Sequence, residues 1–225
     1  MKIMVVDDCL RSCKQISEQV SSLPKFKFMG MLHDGHELIK CCYQQKILPD
    51  IVLLDVHMPK MDGITTMNFM GEFFPAIKVI AVSAYTEADI ISAMLAGGAW
   101  GYLFKHNSMN VLQEALMAIV ANQPYVDDLL KYDVANRENL IRKRKLAKNQ
   151  LFQEYSFNTR EREVMGLVVS SISYQTIGEI LNISPKTVET ITHSLAKKIG
   201  VSNNRPELVL QSLRLGITKM MQKID

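Results

Sequence analysis

The sequence predicts an α/β unit, a doubly wound (βα)5 parallel sheet, followed by an all-α four-helix domain. Three observations carry this. Apolar runs and amphipathic stretches alternate five times over the first 120 residues, the pattern of buried strands covered by helices on both faces. Strand signals stop after Ala121, and only helical periodicity follows Phe157. Charge divides in the same way. Residues 1–120 carry 10 Lys and Arg against 12 Asp and Glu, whereas residues 121–225 carry 16 against 11. That asymmetry favours an anionic partner for the C-terminal part.

The five strands are read at "KIMVV", "KFKFMGML", "DIVLL", "KVIAV" and "GYLF", with helices near 9–22, 35–46, 62–73, 86–97 and 108–121. "NQPYVDD" then reads as a break, and Leu129 to Phe152 as a largely helical linker holding the run Arg142 to Lys145. The expected division is 1–121, a linker over 122–152, and a helical domain over 153–225. With 48% apolar and 22% charged residues the chain is of folded, not disordered, composition. Its apolar runs fall well short of the roughly 18 residues that a membrane span needs. "MKIMVVDD" meets acidic residues before a signal-peptide core can form, so a cytoplasmic protein with no membrane partner is expected. The four cysteines, Cys9, Cys13, Cys41 and Cys42, lack the paired spacing of a zinc site and are read as reduced thiols.

Function is read at the strand ends. The first strand ends in Asp7-Asp8, the third in Asp55, the fourth in Ser83 and the fifth in Lys105. In an open α/β sheet ligands sit beyond the carboxyl ends of the strands, so these residues converge on one edge. Three clustered carboxylates call for a cation, and an all-oxygen donor set with open positions suits Mg²⁺. Asp55, at its strand tip, could then act as a nucleophile and form an aspartyl phosphate. Lys105 would neutralise the phosphoryl oxygens and Ser83 would offer them a hydrogen bond. Gly63 is expected to free the backbone after the turn, and Pro59 to fix φ before it.

"MVVDD", "LLDVHMPKMDG", "VSAY" and "GYLFK" together resemble the receiver domain of two-component response regulators over essentially residues 1–121. The resemblance implies that Asp55 accepts a phosphoryl group from a sensor histidine kinase. It implies Mg²⁺ as cofactor, held by Asp7, Asp8, Asp55 and the backbone carbonyl of His57. It also makes Ser83 and Tyr102 a switch pair, in which the hydroxyl moves to the phosphate and the aromatic ring turns inward. His57, two residues after the phosphoacceptor, and Cys9, after the acidic pair, depart from the commonest pattern. A phosphatase acting through Asp55 is not expected. The DxD motif of aspartyl-phosphate hydrolases is missing, since Val56-His57 follow Asp55, and no enzyme turning over an outside substrate is read here.

In the C-terminal part, Asn158 with Glu161 forms a capping-box variant at the start of one helix. A second helix, in "SYQTIGEILNIS", turns Ile177, Ile180 and Leu181 inward. A third begins at Ser184 as N-cap, with Pro185 first and Gly200 just past the end. Two helices across the tight "LNIS" turn read as helix-turn-helix. At 100° per residue, Val188, Ile191, Leu195 and Ile199 fall within about 80° of one another, and Lys186, Thr190, His193 and Lys197 share the other face.

"TREREVMGLV", "IGEILNISPKTVET", "KKIGV" and "RPELVLQSLRLGI" resemble the LuxR-type helix-turn-helix of NarL/FixJ regulators over residues 156–217. The resemblance implies binding to double-stranded promoter DNA, with Glu189, Thr190 and His193 facing base edges and Lys186, Thr187 and Lys197 near phosphates. Glu189 stands where lysine is frequent, Ile191 where histidine is, and Ser171-Ile172 where a glycine-containing turn is usual. These departures bear on which DNA is read. The last helix, about 205–217, is the family's dimer contact or plain packing. The function implied is a transcriptional response regulator that forms a homodimer on phosphorylation. A receiver gated by partner proteins or by oxidation of Cys9 and Cys13 is the alternative, and an adaptor that never touches DNA is another.

Overall fold

The structure is a computed structural model and describes residues 1–45, 47–105 and 109–218. Strands β1 (Lys2–Val6), β2 (Lys27–Leu32), β3 (Ile51–Leu54), β4 (Lys78–Ser83) and β5 (Gly101–Phe104) alternate with helices α1 (Leu10–Ser21), α2 (Gly35–Gln44), α3 (Gly63–Phe73), α4 (Ala88–Gly97) and α5 (Met109–Val120). All strands pair in parallel in the order β2-β1-β3-β4-β5, which is the doubly wound arrangement expected. β3 lies between β1 and β4, so its Ile-Val-Leu-Leu run is buried on both faces.

The sheet takes one strand more than the sequence suggests. Tyr125–Val126, inside the segment read as a break, forms β6 and pairs in parallel with β5. A two-residue strand after Pro124 is too short to show a period of two. The sheet therefore runs beyond residue 121. Two 3₁₀ turns, Asp128–Leu130 and Val134–Asn136, lead into α6 (Arg137–Glu154). The C-terminal helices are α7 (Thr159–Val168), α8 (Tyr174–Leu181), α9 (Pro185–Ile199) and α10 (Arg205–Arg214).

One face of the sheet is covered by α1 and α5, through Ile16, Val20, Leu112, Leu116 and Ile119 on Val5, Leu53 and Leu103. The other face is covered by α2, α3 and α4, and its apolar cluster does not stop at the helices. It runs on through Val164, Leu167, Ile177, Leu195 and Leu208 of the C-terminal helices. α7 packs on α3, α8 on α2 and α6 on α4. Polar bonds cross the same boundary: Tyr43 Oη to Glu163 Oε1 at 2.7 Å, and Lys40 Nζ to Glu179 Oε2 at 2.9 Å.

α6 is polar nearly all round and is held by a specific device. Gly98 ends α4 in the left-handed region at φ 109°, and the guanidinium of Arg137 collects the released carbonyls. Its Nε donates to Ala99 O at 2.6 Å and its Nη2 to Gly98 O at 3.0 Å, while the group lies 4.7 Å from the Trp100 ring centre. α3 and α4 approach so closely that a Cβ on Gly71 would stand 2.0 Å from the carbonyl oxygen of Gly97. Gly71→Ala is therefore expected to force the two backbones apart and destabilise the chain by roughly 1–3 kcal/mol, the range for overpacking, as read by urea denaturation.

Candidate functional site

The ends of β1 and β3 bring Asp7 and Asp55 side by side, almost fully buried, with Asp8 exposed next to them. Carboxylate oxygens of the three lie within 4.8 Å of one another. Lys105, just past β5, places its ammonium 2.8 Å from Asp7 Oδ2 and 2.9 Å from Asp55 Oδ2. Asp7 also accepts from Ser12 Oγ at 2.6 Å and from the Cys9 amide at 2.8 Å, and Asp55 Oδ1 accepts from the Val56 amide at 2.7 Å. Burial pushes the Asp55 carboxyl above its ordinary pKa, against the pull of Lys105. Burial also works against the charge on Lys105, but the bonds from Asp7 and Asp55 carry its pKa above the ordinary value. Three carboxylates facing one ammonium leave a net negative, all-oxygen donor set. That set fits a hard divalent cation of the Mg²⁺ kind.

The loop that follows Asp55 is fixed from below. Gly63 is required for space and not, as its sequence context suggests, for backbone freedom. A Cβ there would lie 2.4 Å from the carbonyl oxygen of Asp55 and 2.7 Å from Val56 Cα. Asp62 caps α3 by accepting the Thr65 amide at 2.7 Å. Ser83, fully buried at the end of β4, accepts the Tyr85 amide on its Oγ at 3.1 Å. The Tyr102 ring stands inward, fully buried, and its hydroxyl donates to Tyr85 O at 2.8 Å. Tyr85 in turn sets its Oη 3.5 Å from Nδ1 of the exposed His57 ring. Four predicted residues, Asp7, Asp8, Asp55 and Lys105, thus form one cluster. Ser83 and Tyr102 are linked to each other through the main chain of Tyr85, Ser83 O accepts the Lys105 amide at 2.8 Å, and the His57 ring is exposed beside Tyr85.

Asp34 is a part of this surrounding that the sequence reading misses. It is buried, caps α2 by accepting the His36 amide at 3.0 Å, and accepts the Lys60 amide on its other oxygen at 2.9 Å. The signal that could have found it is the cap pattern Asp34-Gly35 ahead of an amphipathic helix. On the far side of the same residue, the carbonyl of Lys60 accepts both the amide of Ser171 at 3.0 Å and its hydroxyl at 2.9 Å. Ser171 belongs to the turn between α7 and α8, where the sequence departs from a glycine-containing turn. The loop after Asp55 is therefore held at the Lys60 amide by Asp34 and at the Lys60 carbonyl by the turn between α7 and α8.

Burial alone would push the Asp34 carboxyl up, but the bonds from His36 and the Lys60 amide bring it below its ordinary value of 3.8. A carboxyl lowered in the folded state stabilises above that ordinary value, and the contribution disappears as pH falls through the lowered one. Asp34→Ala is expected to lose roughly 1–3 kcal/mol at neutral pH, the range for orphaning buried partners. In urea denaturation across pH, its difference from wild type should shrink below pH 3.8.

In α9, Ser184 accepts the Thr187 amide at 3.0 Å, Pro185 is the first residue and Gly200 ends the helix in the left-handed region at φ 80°. Lys186, Thr187, Thr190, His193 and Lys197 are exposed along one side. Glu189 is half-buried and pairs with Lys186 at 2.7 Å, with His193 Nε2 3.9 Å away. Pairing with Lys186 holds the Glu189 carboxyl below its usual range. Behind this face, Val188, Leu195 and Ile199 are buried as expected, while Ile191 is only half-buried. Thr192 is buried in addition, its hydroxyl donating back to Val188 O at 2.8 Å. Gly178 lets α8 approach the turn, since a Cβ there would lie 2.6 Å from Ile183 O. Glu161 completes the capping box of α7 and binds Lys198 at 2.7 Å, tying α7 to α9.

The four cysteines are all free. Burial pushes the Cys13 thiol up to about 11 and the Cys42 thiol up to about 12, and raises Cys41 as well. No helix among the described residues is long and apolar enough to cross a membrane.

Comparison with known proteins bears on both halves of this geometry. The response regulator receiver domain matches residues 3–117, and the luxR family of bacterial regulatory proteins matches residues 156–211. The chain is 29% identical to the response regulator GacA of Pseudomonas syringae pv. syringae, over 96% of this chain and 97% of that one. It is 25% identical to the transcriptional regulatory protein DegU of Brevibacillus brevis, over 98% and 96% of the two chains. Among solved structures, RcsB of Salmonella enterica serovar Typhimurium bound to the promoter P1flhDC has a TM-score of 0.52 at 21% identity, covering 97% of this chain and 99% of that one. The isolated receiver domain of the same protein has a TM-score of 0.54 at 21% identity, covering 58% of this chain and 96% of that one. At these identities the structural likeness speaks for the fold, and the family matches speak for the rest: the chain belongs to the two-component response regulators, with a receiver domain followed by a LuxR-type DNA-binding domain.

Proposed function

We propose that the chain is a phosphorylation-controlled transcription regulator. Asp55 takes a phosphoryl group from the phosphohistidine of a sensor histidine kinase, and the C-terminal domain binds double-stranded promoter DNA as a homodimer. The observation that carries this reading is the Lys105 ammonium shared between Asp7 and Asp55 at the carboxyl edge of the sheet. A carboxylate oxygen of Asp55 attacks phosphorus, the P–O bond forms as the P–N bond breaks, and the electron pair returns to the imidazole. Asp7, Asp8, Asp55 and the main-chain carbonyl of His57 would hold Mg²⁺, which supplies positive charge against the phosphoryl oxygens. Lys105 adds its own charge from the other side, and Ser83 a hydrogen bond. The chain turns over no outside substrate, because Val56-His57 supply no second aspartate to activate water.

The signal has a short path to the other domain. The loop bearing Asp55 ends, five residues on, at the Lys60 carbonyl that Ser171 grips. A phosphoryl group on Asp55 strains that loop and weakens the grip, which frees the DNA-binding unit to pair with a second copy. The thiol-gated alternative draws less support at Cys13, which is buried with its thiol pushed up to about 11, whereas Cys9 is exposed. In a mass measurement with acetyl phosphate and Mg²⁺, wild type should gain one phosphoryl group and bind DNA from upstream of its own gene more tightly. Asp55→Asn should do neither. An adduct that persists in the variant would sink this reading.

Support for the DNA contact comes from the exposed row of α9 and from relatives named for transcriptional regulation. Lys186, Thr187 and Lys197 meet phosphates, while Glu189, Thr190 and His193 face bases, Glu189 as an acceptor for cytosine N4. Lys186→Glu together with Lys197→Glu should weaken binding to all sequences alike and flatten the salt dependence by roughly one unit of slope for each lysine that no longer meets a phosphate. Titration of binding at several salt concentrations reads this, and an unchanged affinity would point to an adaptor.

A further inference from the structure

Where α3, α4, the linker helix α6 and α7 meet, they line a half-open recess of about 320 Å³. We propose that this recess binds a small organic phosphate, a role separate from phosphorylation of Asp55. Among the described residues its lining carries five basic ones, Arg137, Arg144, Lys145, Lys148 and Arg162, against one acid, Glu72. Arg137 is already committed to the carbonyls of Gly98 and Ala99. The Glu72 carboxylate is shared between Lys148 and Arg162, the latter at 3.6 Å. Arg144 Nη2, Arg162 Nε and the acceptor oxygen Glu72 Oε1 are buried and have no hydrogen-bond partner among the described residues. Buried N–H groups of a cation are seldom left in that condition, and two of them beside an excess of positive charge specify an anion with several acceptor oxygens.

The electrostatics agree with that count. Burial draws the Arg144 guanidinium and the Lys148 ammonium below their ordinary pKa, and Glu72 does not restore them. The guanidinium of Arg144 matches tetrahedral phosphate oxygens, and Arg162, whose two terminal nitrogens face Glu72 and Thr159, adds its Nε. The volume lies at the low end of small-ligand pockets, which run from about 300 to 1,000 Å³. Trp100, Ile141 and Phe152 supply apolar wall for the organic part of the ligand. A recess of this size excludes a nucleic-acid duplex. Because the cations come from α6 and α7 and their counter-ion Glu72 from α3, an occupant would brace the receiver, the linker and the DNA-binding domain against one another.

The chain contains a single tryptophan, and Trp100 is on the wall of the recess. Its emission can therefore be followed while inorganic pyrophosphate is titrated into the full-length chain in EDTA, against sodium chloride of equal ionic strength. A saturable change is expected, with affinity lowered roughly tenfold or more in Arg144→Gln, as removal of a charge-assisted bidentate partner implies. Asn149→Glu keeps the proposal testable should Arg144→Gln fail to fold. Asn149 is an exposed residue at the recess, and a carboxylate there leaves the core untouched while competing for the same cations. Its affinity should fall by a similar factor. The absence of a saturable change in wild type, or an unaltered affinity in either folded variant, would overturn the proposal.

Discussion

The receiver is organised around one ammonium group. Asp7 and Asp55 come from neighbouring strands, and two carboxylates so close together and so deeply buried repel each other and lose hydration. Lys105 reaches across from the end of β5 to both of them. The sheet order β1-β3-β4-β5 is what allows it, since the strand that carries the lysine lies on the same edge two places along. The remaining details of the edge follow from keeping that pair in place. Gly63 makes room directly behind Asp55, Ser12 and the Cys9 amide hold Asp7, and the Val56 amide holds Asp55.

Much of this was legible in the sequence because the strands here are unusually plain. The Ile-Val-Leu-Leu run of β3 is followed at once by a carboxylate, and two strand ends with carboxylates, one with a hydroxyl and one with a lysine narrow the chemistry sharply. What was not legible depends on contacts between distant segments. β6 has two residues and no pattern of its own, and exists because β5 offers it a free edge. Asp34 looks like an ordinary helix cap until the Lys60 amide is seen on its second oxygen. Gly63 reads as a turn residue, whereas its backbone is ordinary and the requirement is for empty space. Ser171 reads as a substitution in a turn, and only the docked domains give it a partner.

The helical domain shows the same division. The caps at Asn158, Ser184 and Gly200 follow local rules and stand where expected. The wheel of α9 puts Ile191 on the apolar stripe, where it is half-buried against the core, and overlooks the buried Thr192. A threonine in a helix can bond its hydroxyl to the carbonyl four residues back, which removes the penalty for burying it. Ile191, on the flank, stays half in solvent. The pairing of Lys186 with Glu189 is equally hard to foresee, because both residues could as well have faced water alone.

The apolar cluster that runs unbroken from the sheet through α2, α3 and α4 into α7, α8 and α9 has a further consequence. The two domains are not beads on a string but share a core, and separating them uncovers Phe69 and its neighbours on α3. At Gly166 the contact is so tight that even a methyl group would meet the Phe69 ring at 2.8 Å. An opened chain therefore carries a sticky surface that a closed one lacks, of the sort that chaperones and proteases inspect. The lifetime of an opened chain in the cell is then set in part by that surface. Whatever covers that face in the open form also decides how long the molecule survives there.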